Sequence, residues 1–112
     1  MTSKKLQRAR DFEKKYSHYV AAELPKFHVT APIGWINDPN GFIWYKGQYH
    51  LFYQCAPYSV QWGRLHWGHA VSNDLVNWED KGLALYPSKK DDRSGCFSGS
   101  AIEYNDKMYL YF

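Results

Sequence analysis

Between Ser3 and Leu24 apolar side chains recur at Leu6, Ala9, Phe12, Tyr16, Val20 and Leu24. That spacing places them on one face of a helix, with Ser3 able to cap its start and Pro25 to end it. After Pro25 the pattern shortens to a period of two, and the turn clusters "PNG", "KG", "SND", "EDKG", "SGS" and "ND" cut the chain into short runs. Strands are predicted over 42–45, 49–54, 65–71 and 77–85, with a second group from Ser98. The pattern predicts an all-β unit preceded by one N-terminal amphipathic α-helix packed on its outside.

The strand pattern repeats. "FIWYKGQYHLFY" from Phe42 aligns without gaps on "AIEYNDKMYLYF" from Ala101, a shift of 59 positions. Ile43 falls on Ile102, Tyr45 on Tyr104 and Leu51 on Leu110, and the turn Lys46-Gly47 falls on Asn105-Asp106. Four strands separate the two starts, which is the content of one propeller blade. A propeller closes with roughly four to eight blades. The chain therefore reads as an incomplete β-propeller of about one and a half blades.

Composition adds little until it is located. The formal charge of +3 comes from the helix, where Lys4, Lys5, Arg8, Arg10, Lys14 and Lys15 face Asp11, Glu13 and Glu23; the rest of the chain is balanced. A solvated helix face accounts for that excess, and no groove-reading motif accompanies it, so no nucleic-acid partner is expected. No apolar leader follows Met1, and no run approaches the roughly 20 apolar residues of a membrane span. The expectation is a soluble, cytoplasmic chain without a membrane partner. Cys55 and Cys96 have no CxxC partner and read as reduced, packed thiols. His66 and His69, three apart on a strand, point to opposite faces, so no metal site and no cofactor are expected.

The segment "GWINDPNG" over 34–41 carries the candidate chemistry. Pro39 biases Asp38 to an extended backbone, Gly41 tolerates whatever dihedral the turn needs, and Asn37 and Asn40 offer amides to a carboxylate or a sugar hydroxyl. The repeat sets Asp38 just before the first strand of its unit and Phe97 at the same place in the next. First strands of blades line the central channel, so Asp38 and Ser98 are expected to face one pocket. Asp74, Glu79, Asp80, Asp91 and Asp92 fall in turns or charged stretches and read as solvated.

The succession "WINDPNG", "YHLFYQ", "QWGRLHWGHAVSNDLVNW", "ALYP" and "CFSGSA" resembles family 32 glycoside hydrolases, the invertases, β-fructofuranosidases and sucrose-6-phosphate hydrolases. The resemblance covers residues 27–112 and implies a five-bladed β-propeller, with residues 1–25 as a helical extension and 26–112 as the first part of the propeller domain. It also implies retaining hydrolysis of terminal β-fructofuranosides such as sucrose or sucrose 6-phosphate. Asp38 matches the catalytic nucleophile. Trp35, Asn37, Gln54, Trp62, Phe97 and Ser98 match residues that line the fructosyl subsite, Trp35 as part of its apolar wall. The acid/base Glu of the family belongs to a downstream glutamate-cysteine motif, and its Arg-Asp-Pro motif also lies further on; neither is present here. After "FYQ" this chain has Cys55-Ala56-Pro57 where many members differ, a change at the pocket rim.

Two other readings use the same residues differently. A non-catalytic truncated product would bind sugar weakly at most and would be told apart by the absence of coding sequence for those downstream motifs. A carbohydrate-binding module would need stacking aromatics and no carboxylate at position 38.

Overall fold

The computed structural model describes residues 3–88 and 90–112. Helix α1 spans Lys4–Tyr16, and the Ser3 hydroxyl accepts from the Lys5 N–H at 3.3 Å as its N-cap. Lys14 and Lys15 occupy the last turn, where cations favour the helix dipole. The helix stops at Tyr16 rather than at the predicted Leu24. Ser17–Tyr19 and Ala21–Glu23 form two short 3₁₀ turns instead. Ser17, His18, Tyr19 and Val20 are all middling helix formers, and the spacing of apolar residues alone did not register that weakness.

Four strands, β1 (Trp35–Tyr45), β2 (Gln48–Ala56), β3 (His66–Ser72) and β4 (Glu79–Leu85), form an antiparallel meander in that order. A second sheet holds β5 (Ser100–Tyr104) and β6 (Lys107–Tyr111). Tyr45 pairs with Gln48 and Tyr104 with Lys107, so each hairpin turns on two residues. Both pairs have positive φ, 47° and 81° at Lys46-Gly47 and 49° and 57° at Asn105-Asp106, as a type I′ turn requires. The internal match is thus one hairpin built twice, and the Tyr45 hydroxyl donates to the Asp106 carbonyl at 2.7 Å between the two copies.

Strand β1 begins at Trp35, seven positions before the predicted 42, so Asp38 lies inside the strand rather than ahead of it. Pro39, which cannot donate to a ladder, is accommodated because β1 is an edge and its register with β2 slips between Ile36 and Pro39 and again between Asn40 and Ile43. The turn chemistry of "NDPNG" is spent on bulges, not on a turn.

Period-two alternation divides the core between the two faces of the blade. On one face Tyr53, Cys55, Ala70 and Leu83 meet Ala9 of α1 and Ala31, with Leu6, Val29 and Trp78 at the margin. On the other, Phe52, Trp67 and Cys96 pack against Ala84, Leu85, and Met108 and Leu110 of β6. Leu6 and Ala9 belong to the predicted apolar stripe, and Arg10 fastens the helix further, donating from Nε and Nη2 to the Leu83 carbonyl at 2.8 and 2.6 Å. That clamp covers part of the β4 edge. Gly68 lies under the Tyr53 ring, where any Cβ would overlap it. The two cysteines are unpaired and buried on opposite faces, and burial pushes the Cys96 thiol up to about 12. Among the described residues no helix is long and apolar enough to cross a membrane.

The chain therefore builds one complete four-stranded blade and the first two strands of the next. The inner strands β1 and β5 lie side by side: Gly41 N–H donates to the Gly99 carbonyl at 3.3 Å. Gly41 holds φ at 51°, and a Cβ there would come within 3.2 Å of the Ala101 Cβ, so its small size is what lets the two strands approach.

Candidate active site

Asp38 sits within the first register slip of β1, between Ile36 and Pro39, with its side chain exposed. The Ser98 hydroxyl, from the segment leading into β5, donates to Asp38 Oδ2. That bond, followed by one from the Asn37 amide, holds the Asp38 carboxyl below the usual carboxylate range. The carboxylate is thus ionised at neutral pH, fixed by two donors and open to solvent.

Asn37 is itself held by a directed chain of hydrogen bonds. The Trp35 indole N–H donates to Asn37 Oδ1 at 2.8 Å, Asn37 Nδ2 donates to Gln54 Oε1, and Gln54 Nε2 donates to the Cys96 carbonyl at 3.0 Å. Both ends are one-way groups, since an indole N–H only donates and a carbonyl only accepts, so the orientation of both amides is determined. Asn37 therefore turns its NH₂ edge, not its carbonyl, toward Asp38. Gln54 is buried and engaged at both ends, which makes it a positioner of Asn37.

Asn40, expected to offer its amide to a carboxylate or a sugar, does something else. It is buried, donates to the backbone carbonyl of Asp38 at 3.3 Å and accepts from Gly99 N–H at 3.0 Å. It fastens the backbone of Asp38 to that of the second blade, and so sets the distance between Asp38 and Ser98. Trp67, buried in the inter-blade core, similarly ties the Phe97 carbonyl at 3.0 Å. Neither role was visible in sequence, because nothing local says which carbonyl the amide of Asn40 or the indole of Trp67 reaches.

The structure brings Trp35, Asn37, Asp38, Gln54 and Ser98 into one network. Phe97 lies beside it in sequence, with its ring exposed in a hollow shared with Asp91, Asp92, Gly95 and Phe112. Trp62 stands apart, exposed on the 57–65 loop among Tyr58, Gln61 and Arg64. That loop is nonetheless tied to the site, because Trp35 N–H donates to the Ser59 carbonyl at 2.9 Å.

Hydrogen bonds, first from Ser98 and then from Asn37, lower the Asp38 carboxyl against desolvation, and no other carboxyl is among the causes of its shift. A second carboxylate about 5 Å away would act as a like charge and raise it. Asp74 caps its own turn, accepting from Val76 and Asn77 N–H at 2.9 and 2.7 Å, and Glu79 pairs with Lys81 at 2.7 Å. Asp80 is exposed, as expected, but lies within strand β4 rather than in a turn; desolvation raises its carboxyl and the Tyr53 hydroxyl bonds to it. His66 Nδ1 bonds the Arg64 carbonyl at 2.9 Å, while His69 Nε2 meets His50 Nδ1 at 2.9 Å. Those two histidines do point apart, as their spacing requires.

The site is an ionised, solvent-open carboxylate on the inner strand of a propeller blade, braced by the segment that leads into the next. The family comparison is specific: residues 28–112 match the glycosyl hydrolases family 32 N-terminal domain, and the chain belongs to that family. The sucrose-6-phosphate hydrolase of Zymomonas mobilis is 49% identical over 111 residues, 97% of this chain and 22% of the relative. Among solved structures, the sucrose-6-phosphate hydrolase of Lactobacillus gasseri superposes with a TM-score of 0.81 at 37% identity, over 89% of this chain and 21% of that one. The GH32 β-fructofuranosidase of Bombyx mori gives 0.77 at 41% identity, over 93% and 23%. The chain thus spans about a fifth of the length of these relatives, and its one and a half blades are part of a five-bladed propeller.

Proposed function

We propose that this chain supplies the nucleophile and part of the fructosyl subsite of a retaining β-fructofuranosidase acting on sucrose or sucrose 6-phosphate. The observation that carries the reading is the state of Asp38: exposed, ionised, and held by Ser98 and Asn37. A retaining glycosidase needs such a carboxylate to attack the anomeric carbon, and a second carboxyl to protonate the leaving oxygen and then activate water. Asp38 takes the first role. The second falls to a Glu outside these 112 residues, since no other carboxyl contributes to the shift of Asp38.

Asn37 and Ser98 stabilise the carboxylate in the ground state and donate to sugar hydroxyls once substrate enters. Trp35, Trp62 and Phe97 supply aromatic surface for the ring faces of the sugar. Gln54 keeps Asn37 in the donating orientation. The names of the relatives support this substrate class, and the Bombyx mori enzyme has been solved in complex with sucrose as a mutant.

Grafting residues 28–112 in place of the matching segment of the Lactobacillus gasseri enzyme tests the reading. The chimera is expected to release fructose from sucrose or sucrose 6-phosphate and, with methanol as acceptor, to give the β-methyl fructofuranoside, the mark of retention. Asp38→Asn in the chimera is expected to lower kcat by about 10⁴-fold or more. A folded chimera whose turnover survives that substitution would remove Asp38 from the mechanism.

A further inference from the structure

In the meander, β1 and β3 run one way and β2 and β4 the other, so the start of β1, the 57–65 loop and the segment after β4 share one end of the blade. Asp38 is near that end on the inner strand. On the outer side of the same end, the start of α1, the 57–65 loop and the segment after β4 enclose a hollow of about 470 Å³. Its wall carries Lys5, Arg8, Arg64, Lys90 and Arg93, together with His66, and no Asp or Glu. Three separate segments deliver these cations.

Like charges crowded around one concavity repel one another, and an anion in the hollow relieves that repulsion. Two further features narrow the anion. His66 is 94% buried by its 6% exposure, and its Nδ1 proton is committed to the Arg64 carbonyl at 2.9 Å. Because a carbonyl can only accept, the neutral ring leaves Nε2 as a lone pair with no hydrogen-bond partner among the described residues, fit to accept from a hydroxyl. Arg64 itself holds φ at 38°, a region that residues other than glycine rarely adopt, so its position is maintained against backbone strain. Tyr58 and Tyr86 add aromatic wall.

We propose that this hollow is a binding site for a phosphorylated sugar, with the phosphate monoester on the Arg8, Arg64 and Arg93 guanidiniums and a sugar hydroxyl donating to His66 Nε2. Guanidinium forks match phosphate oxygens in pairs, and the volume is that of a small-ligand pocket. No residue of the Asp38 network lines the hollow. Its occupancy is therefore a property separate from fructosyl transfer.

Calorimetric titration of the 112-residue chain with glucose 6-phosphate tests the assignment, and it reads binding rather than fructose release, so it stands apart from the role of Asp38. Saturable binding is expected, weakened about tenfold by Arg8→Gln and by Arg64→Gln. The control Lys14→Gln/Lys15→Gln, at the other end of α1, is expected to leave it unchanged, with circular dichroism verifying that each variant is folded. Absence of saturable binding by the folded parent chain would overturn the proposal. So would equal weakening by the lysine control, which would mean diffuse attraction rather than a site. Inorganic phosphate binding as tightly as glucose 6-phosphate would overturn the sugar part of the assignment.

Discussion

The hydroxyl of Ser98 donates to Asp38 Oδ2 across 60 positions of chain, joining the first strand of one blade to the approach of the next. Two segments that neither pair in one sheet nor adjoin in sequence thus meet at the reacting carboxylate. The bond is the leading reason the Asp38 carboxyl lies below its ordinary range. Ser98→Ala is therefore expected to move the Asp38 titration upward toward that of a free carboxylate, read from the side-chain carbonyl carbon by NMR. An unchanged titration would mean that Asn37 alone sets the charge.

The chain Trp35, Asn37, Gln54, Cys96 carbonyl makes a second prediction. Gln54→Leu removes a buried amide, takes from Asn37 Nδ2 its Gln54 acceptor while leaving the bond to Asp38, and leaves the Cys96 carbonyl without the Gln54 donor. Buried polar groups left unsatisfied cost about 1–3 kcal/mol, so urea unfolding is expected to lose that much stability. Trp35→Phe touches only the half-buried end of the same chain and is expected to cost less, about 0.5–1.5 kcal/mol. Equal losses in the two variants would contradict the picture of a buried, directed relay.

The inter-blade core makes a third. Trp67 is fully buried, packs 6.0 Å from Phe52 and 5.8 Å from Phe112 between ring centroids, and ties the Phe97 carbonyl. Trp67→Ala is expected to destabilise the fold by about 3–5 kcal/mol in denaturant unfolding. A loss under about 1 kcal/mol would mean that the second hairpin does not dock as described.

Stability should also depend on pH in a way that Glu13 decides. Burial, and after it the charge of Asp80, raises the Glu13 carboxyl from 4.5 to about 8, against the lowering effect of Arg10. Its contribution is complete below the unfolded value of 4.5 and is lost as pH rises through about 8. His69 works in the opposite sense: burial first, then the charges of His50 and Lys81, lower it from 6.5 to about 4. Its contribution is present above 6.5 and is lost as pH falls toward 4. The native chain is thus expected to lose stability between pH 6.5 and 8, and Glu13→Gln to abolish that decline, by thermal unfolding across the range. The same alkaline decline in both proteins would exclude Glu13 as its source.

Much of this was legible in residue order, for identifiable reasons. The alternation of Phe52 with Tyr53 and of Trp67 with neighbours of opposite facing announced a two-faced sheet, and the repeated hairpin announced where the second blade starts. Ser98 was expected to face one pocket with Asp38, and the structure brings its hydroxyl onto the Asp38 carboxylate. What local patterns could not convey was anything set by long-range register. The propensity of "NDPNG" for turns hid the fact that its residues form bulges in an edge strand. Asn40, one of two similar amides in that motif, braces backbone because Gly99 happens to lie within its reach. Period-based reading also overran the helix, since it weighs where apolar residues fall and not how poorly Ser17 to Val20 hold a helical turn.

The central claim is that Asp38 attacks the sugar. Its most direct test is to trap the fructosyl ester in the chimera that carries residues 28–112, using a β-fructofuranosyl donor whose leaving group needs no protonation, and to map the adduct by mass spectrometry. The account predicts a fructosyl group on the peptide containing Asp38 and none in Asp38→Asn. An adduct on any other carboxylate, or an undiminished adduct in Asp38→Asn, would contradict it.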